Sequence, residues 1–253
     1  MSKIFDAYAA YYNMLYQDKD YKQETKYMAS LLEKNDITNG SILELGSGTG
    51  KHAEEFAKMG FSVHGVDLSP ETIREGNQRG NNDFANQLYF EIGDVRSFKI
   101  DKKFDAVISL FHVISYQLKN EDILAVFNTA AKHLKPNGVF IFDFWYGPGV
   151  LTDPPVVRLK RLENEEIEVL RIAEPVMHPN ENVVDVNYCV QVKQKESGEV
   201  TELNEIHKMR YLFIPEILQF CNSLFTLKTN YAWMEVNTPN FTDWLCVSTL
   251  IKK

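Results

Sequence analysis

The chain has 253 residues, of which 44% are hydrophobic and 25% charged, as is typical of a soluble globular protein. Its formal net charge of −8 argues against nucleic acid as the main partner, because a phosphate backbone is bound by clustered positive charge. No apolar run would span a bilayer and the first residues lack the apolar core of a signal peptide, so we expect a cytoplasmic protein without a membrane partner. The three cysteines favour reduced thiols, and the histidine spacing predicts no metal site.

Short apolar strands alternate with helices in the first part of the chain. The first 36 residues look helical, and the sequence then predicts strands at 42–45, 62–68, 88–94, 104–111 and 138–145, with helices at 51–60, 69–79 and 120–134. This alternation implies parallel strands joined by helical crossovers, which is the doubly wound α/β class. Ligands of such sheets bind at the carboxyl ends of the strands.

The pattern changes after Trp145. Residues 146–157 are rich in Gly and Pro and are predicted to form a loop. Residues 182–194 and 201–213 then alternate apolar and polar side chains with period two, which predicts two antiparallel strands around a turn at KESGEV. A helix at 215–224 and strands at 231–236 and 244–251 are expected to return to the core and complete a mostly parallel sheet of seven strands.

Four segments follow from these patterns. They are an N-terminal helical cap (1–36), an α/β core (37–151), an inserted antiparallel β lobe (152–213), and a C-terminal helix and strands that complete the core (214–253). The lobe is interpreted as a lid or a dimer interface, because its two-faced strands need a partner surface. We therefore expect a homodimer, which light scattering would test.

Three glycines, Gly46, Gly48 and Gly50, follow the first predicted strand in SILELGSGTG. Glycine allows backbone angles that a side chain forbids, and it lets the main chain approach a ligand at the start of the next helix. A tight turn in any α/β protein would look similar. A nicotinamide dinucleotide fingerprint requires its third glycine three residues after the second, but here the interval is two.

Acidic residues end the next two predicted strands. Asp67 can accept hydrogen bonds from both hydroxyls of a ribose. Its alternative role is to cap the following helix, but Ser69 is well placed for that. Asp94, in GDV, can accept a hydrogen bond from an adenine amino group.

Together, ILELGSGTG, GVDLS, GDV, FDAVISLF and LKPNG resemble the class I S-adenosylmethionine (SAM) methyltransferases in order and spacing. The resemblance implies a Rossmann-like fold with SAM as the cofactor. It implies that the three glycines approach the methionyl part of SAM and that Asp67 holds the ribose. It also implies that Leu68 packs on the adenine and that Asp94 and Val95 flank the adenine amino group, and the cofactor site is completed by Glu44, Ser47 and Leu110.

A narrower resemblance points to N,N-dimethyltransferases that act on nucleotide-linked amino sugars. YYNMLYQDKDYKQE, FDFWYGP and EIHKMRYLF carry it, and they supply matches for Tyr12, Tyr21 and His207. Those enzymes have His where this chain has Tyr116 and Glu where it has Asp143. These departures lie in the acceptor pocket. The resemblance therefore bears more strongly on the methyl donor than on the acceptor.

The two tyrosines before the core have two interpretations. Tyr12 and Tyr21 can fold over the cofactor, where an aromatic face attracts a sulfonium, and Tyr12 is in addition a candidate catalytic residue. Tyr8, Tyr12 and Tyr16 also have helical spacing, so Tyr12 can equally face a core. Cofactor binding by Tyr21 is implied by the resemblance.

The acceptor is expected beyond the fourth strand, in SLFHVISYQ. His112 and Tyr116 lie one helical turn apart there, and either can orient the acceptor or take its proton, although His112 can also be a structural hydrogen-bonding residue. Tyr116 is assigned a positioning role. Asp143 and Trp145 are candidates for the acceptor pocket, and Trp145 can alternatively be core. His207 shares a strand face with Glu205. These two residues either bind substrate or form an interstrand hydrogen-bonded pair or a dimer contact.

The sequence thus predicts an enzyme that transfers a methyl group from SAM to a small molecule, with an amine on a sugar nucleotide or a similar metabolite as the favoured acceptor. A small oxygen nucleophile is an alternative. A further alternative is a SAM-binding regulatory subunit without turnover.

Overall fold

The computed structural model describes residues 14–15, 19–80, 84–221 and 223–253. Tyr12 lies outside these residues. The helices run, in chain order, over Tyr21–Glu33 (α1), Lys51–Lys58 (α2), Pro70–Gly80 (α3), Asn120–His133 (α4), Gly147–Thr152 (α5) and Ile214–Cys221 (α6). The strands are Gly40–Leu45 (β1), Phe61–Asp67 (β2), Leu88–Ile92 (β3), Phe104–Ser109 (β4), Leu134–Tyr146 (β5), Arg158–Glu163 (β6), Ile167–His178 (β7), Val183–Gln194 (β8), Val200–Leu212 (β9), Phe225–Ala232 (β10) and Leu245–Lys252 (β11).

The described residues form two compact units. The larger consists of residues 21–153 and 211–253, and the smaller contains residues 154–210 together with the described residues before Tyr21. The four-segment division predicted from the sequence stays a prediction. Within the described part of the chain, no helix combines the length and the apolar character that crossing a membrane requires.

The larger unit is built on a seven-stranded sheet in the order β3-β2-β1-β4-β5-β11-β10. Neighbouring strands from β3 to β5 pair in parallel, and β11 is antiparallel to both β5 and β10. The predicted doubly wound, mostly parallel sheet is therefore confirmed. The strand order reverses beside β1, whose neighbours are β2 and β4, and this is where open α/β sheets bind ligands.

Both faces of this sheet are buried, as the continuous apolar strands require. Phe127 of α4 packs edge-on against Phe140 and Phe142 on one face, with ring centroids 5.5 and 5.3 Å away. On the other face, Met28 of α1 and Phe56 of α2 are buried with the side chains of β1 and β2. The rigid sheet that results fixes the strand ends that carry the predicted site.

Three local predictions from the sequence were incomplete or wrong. The loop predicted at 146–157 contains α5, whose first turn accepts Pro148 because proline has no N–H to leave unpaired. The strand predicted at 231–236 ends at Ala232, because Met234 adopts a left-handed φ of 64° in a turn. The sequence patterns also did not reveal β6 and β7.

The smaller unit is an antiparallel sheet in the order β9-β8-β7-β6. The predicted period-two alternation is confirmed. Val190 and Val192 of β8 and Leu203 of β9 are buried together with Val169 of β7, whereas their sequence neighbours are more exposed.

Candidate active site

The turn after β1 contains three glycines in the left-handed region of backbone conformation, with φ of 81° at Gly46, 53° at Gly48 and 77° at Gly50. The N–H groups of Gly46 and Ser47 both donate to the carbonyl oxygen of Val66, over 2.8 and 3.0 Å. These bonds tie the turn to the end of β2. Gly50 then precedes α2 directly.

The three glycines serve different purposes. A side chain at Gly46 would overlap Val113, and one at Gly50 would overlap Phe90, so both are needed for packing. A side chain at Gly48 would meet no protein atom within 4 Å. Gly48 therefore borders an open space beside the turn, where bare backbone can approach a ligand.

Asp67 connects the glycine turn to the start of α3. Its Oδ2 accepts from the N–H of Gly48 over 2.9 Å, and its Oδ1 accepts from the N–H of Ser69 and the hydroxyl of Thr72 over 2.9 and 3.2 Å. A carboxylate offers about four acceptor positions, so these bonds leave capacity for a ligand hydroxyl. Ser69 caps α3 as predicted, because its hydroxyl accepts from the N–H of Thr72.

A buried acid lies beneath the turn. Glu44 is 1% exposed, and burial, reinforced by the charge of Asp67, raises the pKa of its carboxyl to about 8. Glu44 Oε1 lies 3.9 Å from Nδ1 of His52, whose Nε2 contacts Glu24 at 2.8 Å. Among the described residues, Glu44 Oε2 and the Ser47 hydroxyl are buried and have no hydrogen-bond partner.

The predicted adenine end contains one exposed apolar side chain and one paired acid. Leu68 is 63% exposed, beside the end of β2. The guanidinium of Arg96 binds both carboxylate oxygens of Asp94 and lowers its pKa, and it also contacts Asp122 at 3.1 Å. Val95 and Leu110 are both buried in the core.

Tyr21, at the start of α1, packs on the same region. Its ring meets that of His52 edge-on at 4.9 Å, and the ammonium of Lys51 lies 5.0 Å from its centroid. Burial raises the pKa of the Tyr21 phenol to about 12, so the ring stays neutral. One cation, Lys51, thus already lies over this ring.

The carboxyl ends of β4 and β5 bring the predicted acceptor residues together. Nδ1 of His112 lies 2.7 Å from Oδ2 of Asp143, which is 1% exposed, and the backbone N–H of His112 donates to Oδ1 over 3.0 Å. The ring of Trp145 meets that of His112 at 6.4 Å. Tyr116 ends the 3₁₀ turn Val113–Tyr116 and is 45% exposed.

His207 belongs to the smaller unit. Its Nε2 lies 3.0 Å from Oε2 of Glu205, and its ring meets that of Tyr188 edge-on at 5.1 Å. His207 and Glu205 thus pair with each other within β9, and the interstrand pair, the dimer contact and substrate binding stay predictions.

Comparison with known proteins shows which family has these features. A family model described as a methyltransferase domain matches residues 42–138. The chain is 29% identical over 185 residues to dTDP-3-amino-3,4,6-trideoxy-alpha-D-glucopyranose N,N-dimethyltransferase of Streptomyces venezuelae, covering 73% of this chain and 75% of that protein. This chain is a class I SAM-dependent methyltransferase.

Solved structures share the fold of the methyltransferase. A SAM-dependent methyltransferase from Clostridium acetobutylicum superposes with a TM-score of 0.82 at 19% identity, covering 98% of each chain. CalS10 of Micromonospora echinaspora, an amino pentose methyltransferase solved with SAM bound, gives a TM-score of 0.75 at 20% identity, covering 96% of this chain and 95% of that one.

The residues of this site fit SAM. Gly48 borders unfilled space, the ribose acid expected at the end of β2 is present as Asp67, and Leu68 offers apolar surface to a base. The unpartnered oxygens of Glu44 and Ser47 lie at the turn, where the amino acid part of SAM is expected. A positively charged ligand group there would offset the cost of burying them.

Sequence reasoning missed several residues of the methyltransferase site. Trp244 stacks edge-on against Trp145 at 5.2 Å, and the Ser115 hydroxyl accepts from the N–H of Trp145 over 2.9 Å. Antiparallel pairing of the last strand with β5 could have identified Trp244, because that pairing aligns the start of one strand with the end of the other. Arg96 could have been identified from the sequence, since a basic residue two positions after Asp94 is close enough to pair with it.

Replacing Gly48 with alanine should weaken binding of S-adenosylhomocysteine (SAH), the demethylated cofactor, by about tenfold or more, because the new methyl group occupies the ligand space. A left-handed alanine costs roughly 1 kcal/mol, so the melting temperature should fall by only about 2–4 °C. Calorimetric titration with SAH and thermal unfolding measure the two effects.

Gly198→Ala is the matched control for this change. Gly198 also has a positive φ, 71°, and no protein atom within 4 Å of an added Cβ, but it lies in the turn between β8 and β9. It should show a similar loss of stability with unchanged SAH affinity. Equal SAH affinity of Gly48→Ala and the wild type would remove Gly48 from the cofactor site.

Proposed function

We propose that the methyltransferase transfers a methyl group from SAM to an amine on a small molecule, such as a sugar nucleotide. The observation that carries this proposal is the similarity of the chain, over 73% of its length, to an amino-sugar N,N-dimethyltransferase. Methyl transfer needs alignment of donor and acceptor and exclusion of water rather than a strong oxyanion site.

For the donor, we propose that the turn from Gly46 to Gly50 receives the methionyl part and that Asp67 binds the ribose hydroxyls. Leu68 packs on the adenine. Asp94, which is held in place by Arg96, accepts a hydrogen bond from the adenine amino group. The remaining proposed cofactor residues line these parts of SAM; they are Tyr12, Tyr21, Glu44, Ser47, Val95 and Leu110.

For the acceptor, we propose a pocket at the carboxyl ends of β4 and β5. His112 and Tyr116 orient the nucleophile, and Asp143 and Trp145 form the wall behind it. Tyr12 as a catalytic residue and His207 as a substrate-binding residue stay predictions, as does the homodimer.

A screen with methyl-labelled SAM tests this function. The panel contains dTDP-3-amino-3,4,6-trideoxy-α-D-glucopyranose, simple primary and secondary amines, and catechol as a phenol. We expect label to appear on an amine. SAH binding without transfer to any amine would overturn the proposed acceptor class, and failure to bind either SAM or SAH would overturn the proposed cofactor site.

A hydroxyl acceptor is the second candidate, and the contact between His112 and Asp143 favours it. A neutral hydroxyl is a weak nucleophile and must lose its proton as it attacks, whereas an uncharged amine attacks through its lone pair. Label on catechol and on none of the amines would select this candidate.

A further inference from the structure

We propose that His112 and Asp143 form a catalytic dyad in which Nε2 of His112 takes the proton of the methyl acceptor. This inference rests on the proposed function and adds a chemical role to the acceptor site. Three features carry it: the backbone conformation that forms the contact, the position of the proton within it, and the surroundings of the imidazole ring.

The backbone is strained where the dyad forms. Phe111 and His112 both have a φ of 64°, in the left-handed region that costs a residue with a side chain roughly 1–2 kcal/mol. This conformation directs both the backbone N–H and the ring of His112 onto Asp143, over 3.0 and 2.7 Å. A strained residue whose backbone N–H and ring both contact one buried carboxylate is expected at a functional site.

The contact determines which ring nitrogen carries the proton. Nδ1 of His112 and Oδ2 of Asp143 are buried 2.7 Å apart, a close contact without hydrogen-bond geometry, and neither atom has a hydrogen-bond partner among the described residues. At 2.7 Å two facing lone pairs would repel, so one of the two atoms carries a proton. Because a carboxyl is a stronger acid than an imidazolium, that proton resides on Nδ1, and Nε2 keeps its lone pair.

The surroundings leave this lone pair accessible. The side chain of His112 is 20% exposed, and within the described part of the chain no group hydrogen-bonds to Nε2. The ring centroids of Phe111 and Trp145 lie 5.4 and 6.4 Å from that of the imidazole, so these rings cover part of its surface. A second titratable group near Asp143 is the thiol of Cys246 on β11, whose pKa is raised by burial and by neighbouring carboxylates, so that it stays uncharged.

The dyad completes a balanced reaction. The lone pair of the acceptor forms a bond to the methyl carbon, and the bond from this carbon to sulfur breaks with its electrons remaining on the sulfur. Nε2 of His112 takes the proton that the acceptor nitrogen or oxygen releases. Asp143 stabilises the resulting imidazolium, and the proton then passes to solvent.

The protonation pattern can be measured without any acceptor. Long-range ¹H–¹⁵N spectra of histidine-labelled protein with SAH bound should show His112 as the tautomer protonated at Nδ1. His112→Asn identifies its signals among those of the six histidines. A His112 ring protonated at Nε2 instead would overturn the proposal.

Turnover of the acceptor that the labelled-SAM screen identifies tests the catalytic role. His112→Asn is the most suitable variant, because asparagine tolerates the left-handed conformation and retains the backbone N–H that binds Asp143. We expect kcat to fall about 100-fold or more while SAH affinity stays within threefold. Asp143→Asn, which is nearly isosteric, should also lower kcat.

The pH profile separates proton transfer from a structural role. Wild-type kcat should fall as the pH decreases, because a protonated imidazole accepts nothing, and His112→Asn should lose this dependence. Wild-type kcat in His112→Asn, or an unchanged acidic limb in its profile, would overturn the dyad. Both results leave the proposed function intact, since that function fails instead when no acceptor is methylated.

Discussion

Replacing Asp67 with alanine should weaken SAH binding about 100-fold, the largest loss of affinity expected for a single side chain of this site. Hydrogen bonds to a charged group contribute about 1.5–3 kcal/mol each, and the role proposed for this carboxylate is to accept from the ribose. Asp67→Asn keeps one acceptor oxygen and should lose about tenfold. Calorimetric titration of each variant with SAH provides the comparison.

Asp67 also supports the turn, so binding alone does not prove contact with the ribose. Its Oδ2 holds the N–H of Gly48, and removing it also loosens the glycine turn. A 2′-deoxyribose analogue of SAH resolves this, because the wild type should bind it more weakly than SAH, whereas Asp67→Ala should bind the two alike. Thr72→Val removes only the hydroxyl that donates to Oδ1 and should stay within threefold. Continued discrimination of the two ligands by Asp67→Ala would contradict ribose binding.

The donor half of the site was accessible from the sequence because its determinants are local. Gly46 and Gly48 directly follow an apolar strand, and Asp67 ends the next one. In a parallel sheet the carboxyl ends of adjacent strands meet at one edge, so order along the chain is enough to bring these groups together. The hydrogen bond from Gly48 to Asp67 is a direct consequence.

The acceptor half depends on information that no short segment carries. The sequence selected His112 and Asp143 separately, but their contact requires β4 and β5 to be neighbours and two left-handed residues that are not glycine. Nothing local marks Phe111 or His112 for such a conformation. Long-range packing imposes it, and for this reason the contact between His112 and Asp143 is seen only in the structure.

The position of a strand at the edge of a sheet explains one of the errors in the predicted fold, the missed strand β6. The segment RLKRLE forms β6, at the edge of the smaller unit's sheet, and almost all of its side chains are exposed. A strand that packs on neither face shows no apolar alternation, and charged residues are common there because they discourage pairing with other chains. Buried strands such as β1 and β4 were predicted from the sequence because each contains a run of buried side chains that are mostly apolar.

Glu44→Gln should stabilise the protein at alkaline pH. The carboxyl has a pKa of about 8 in the folded protein against 4.5 as its ordinary value, so the folded state holds a proton that the unfolded chain has lost. Folding stability attributable to this group is therefore present below about pH 4.5 and lost as the pH rises towards 8. The glutamine has no charge to bury, and at pH 8.5 we expect it to raise the free energy of unfolding by on the order of 2–4 kcal/mol.

Urea unfolding of ligand-free protein at pH 5 and pH 8.5 measures this effect. The wild type and Glu44→Gln should differ little at pH 5 and widely at pH 8.5, because only the ionised carboxylate is costly beneath the turn. Glu33→Gln, at the exposed end of α1, is the matched control and should show no such divergence. Parallel stability profiles of Glu44→Gln and the wild type would mean that Glu44 is ionised at little cost, with Nδ1 of His52 3.9 Å from its carboxylate. The acid would then be a permanent charge of the SAM site, whereas a divergence identifies a carboxyl that stays protonated until a cationic ligand arrives.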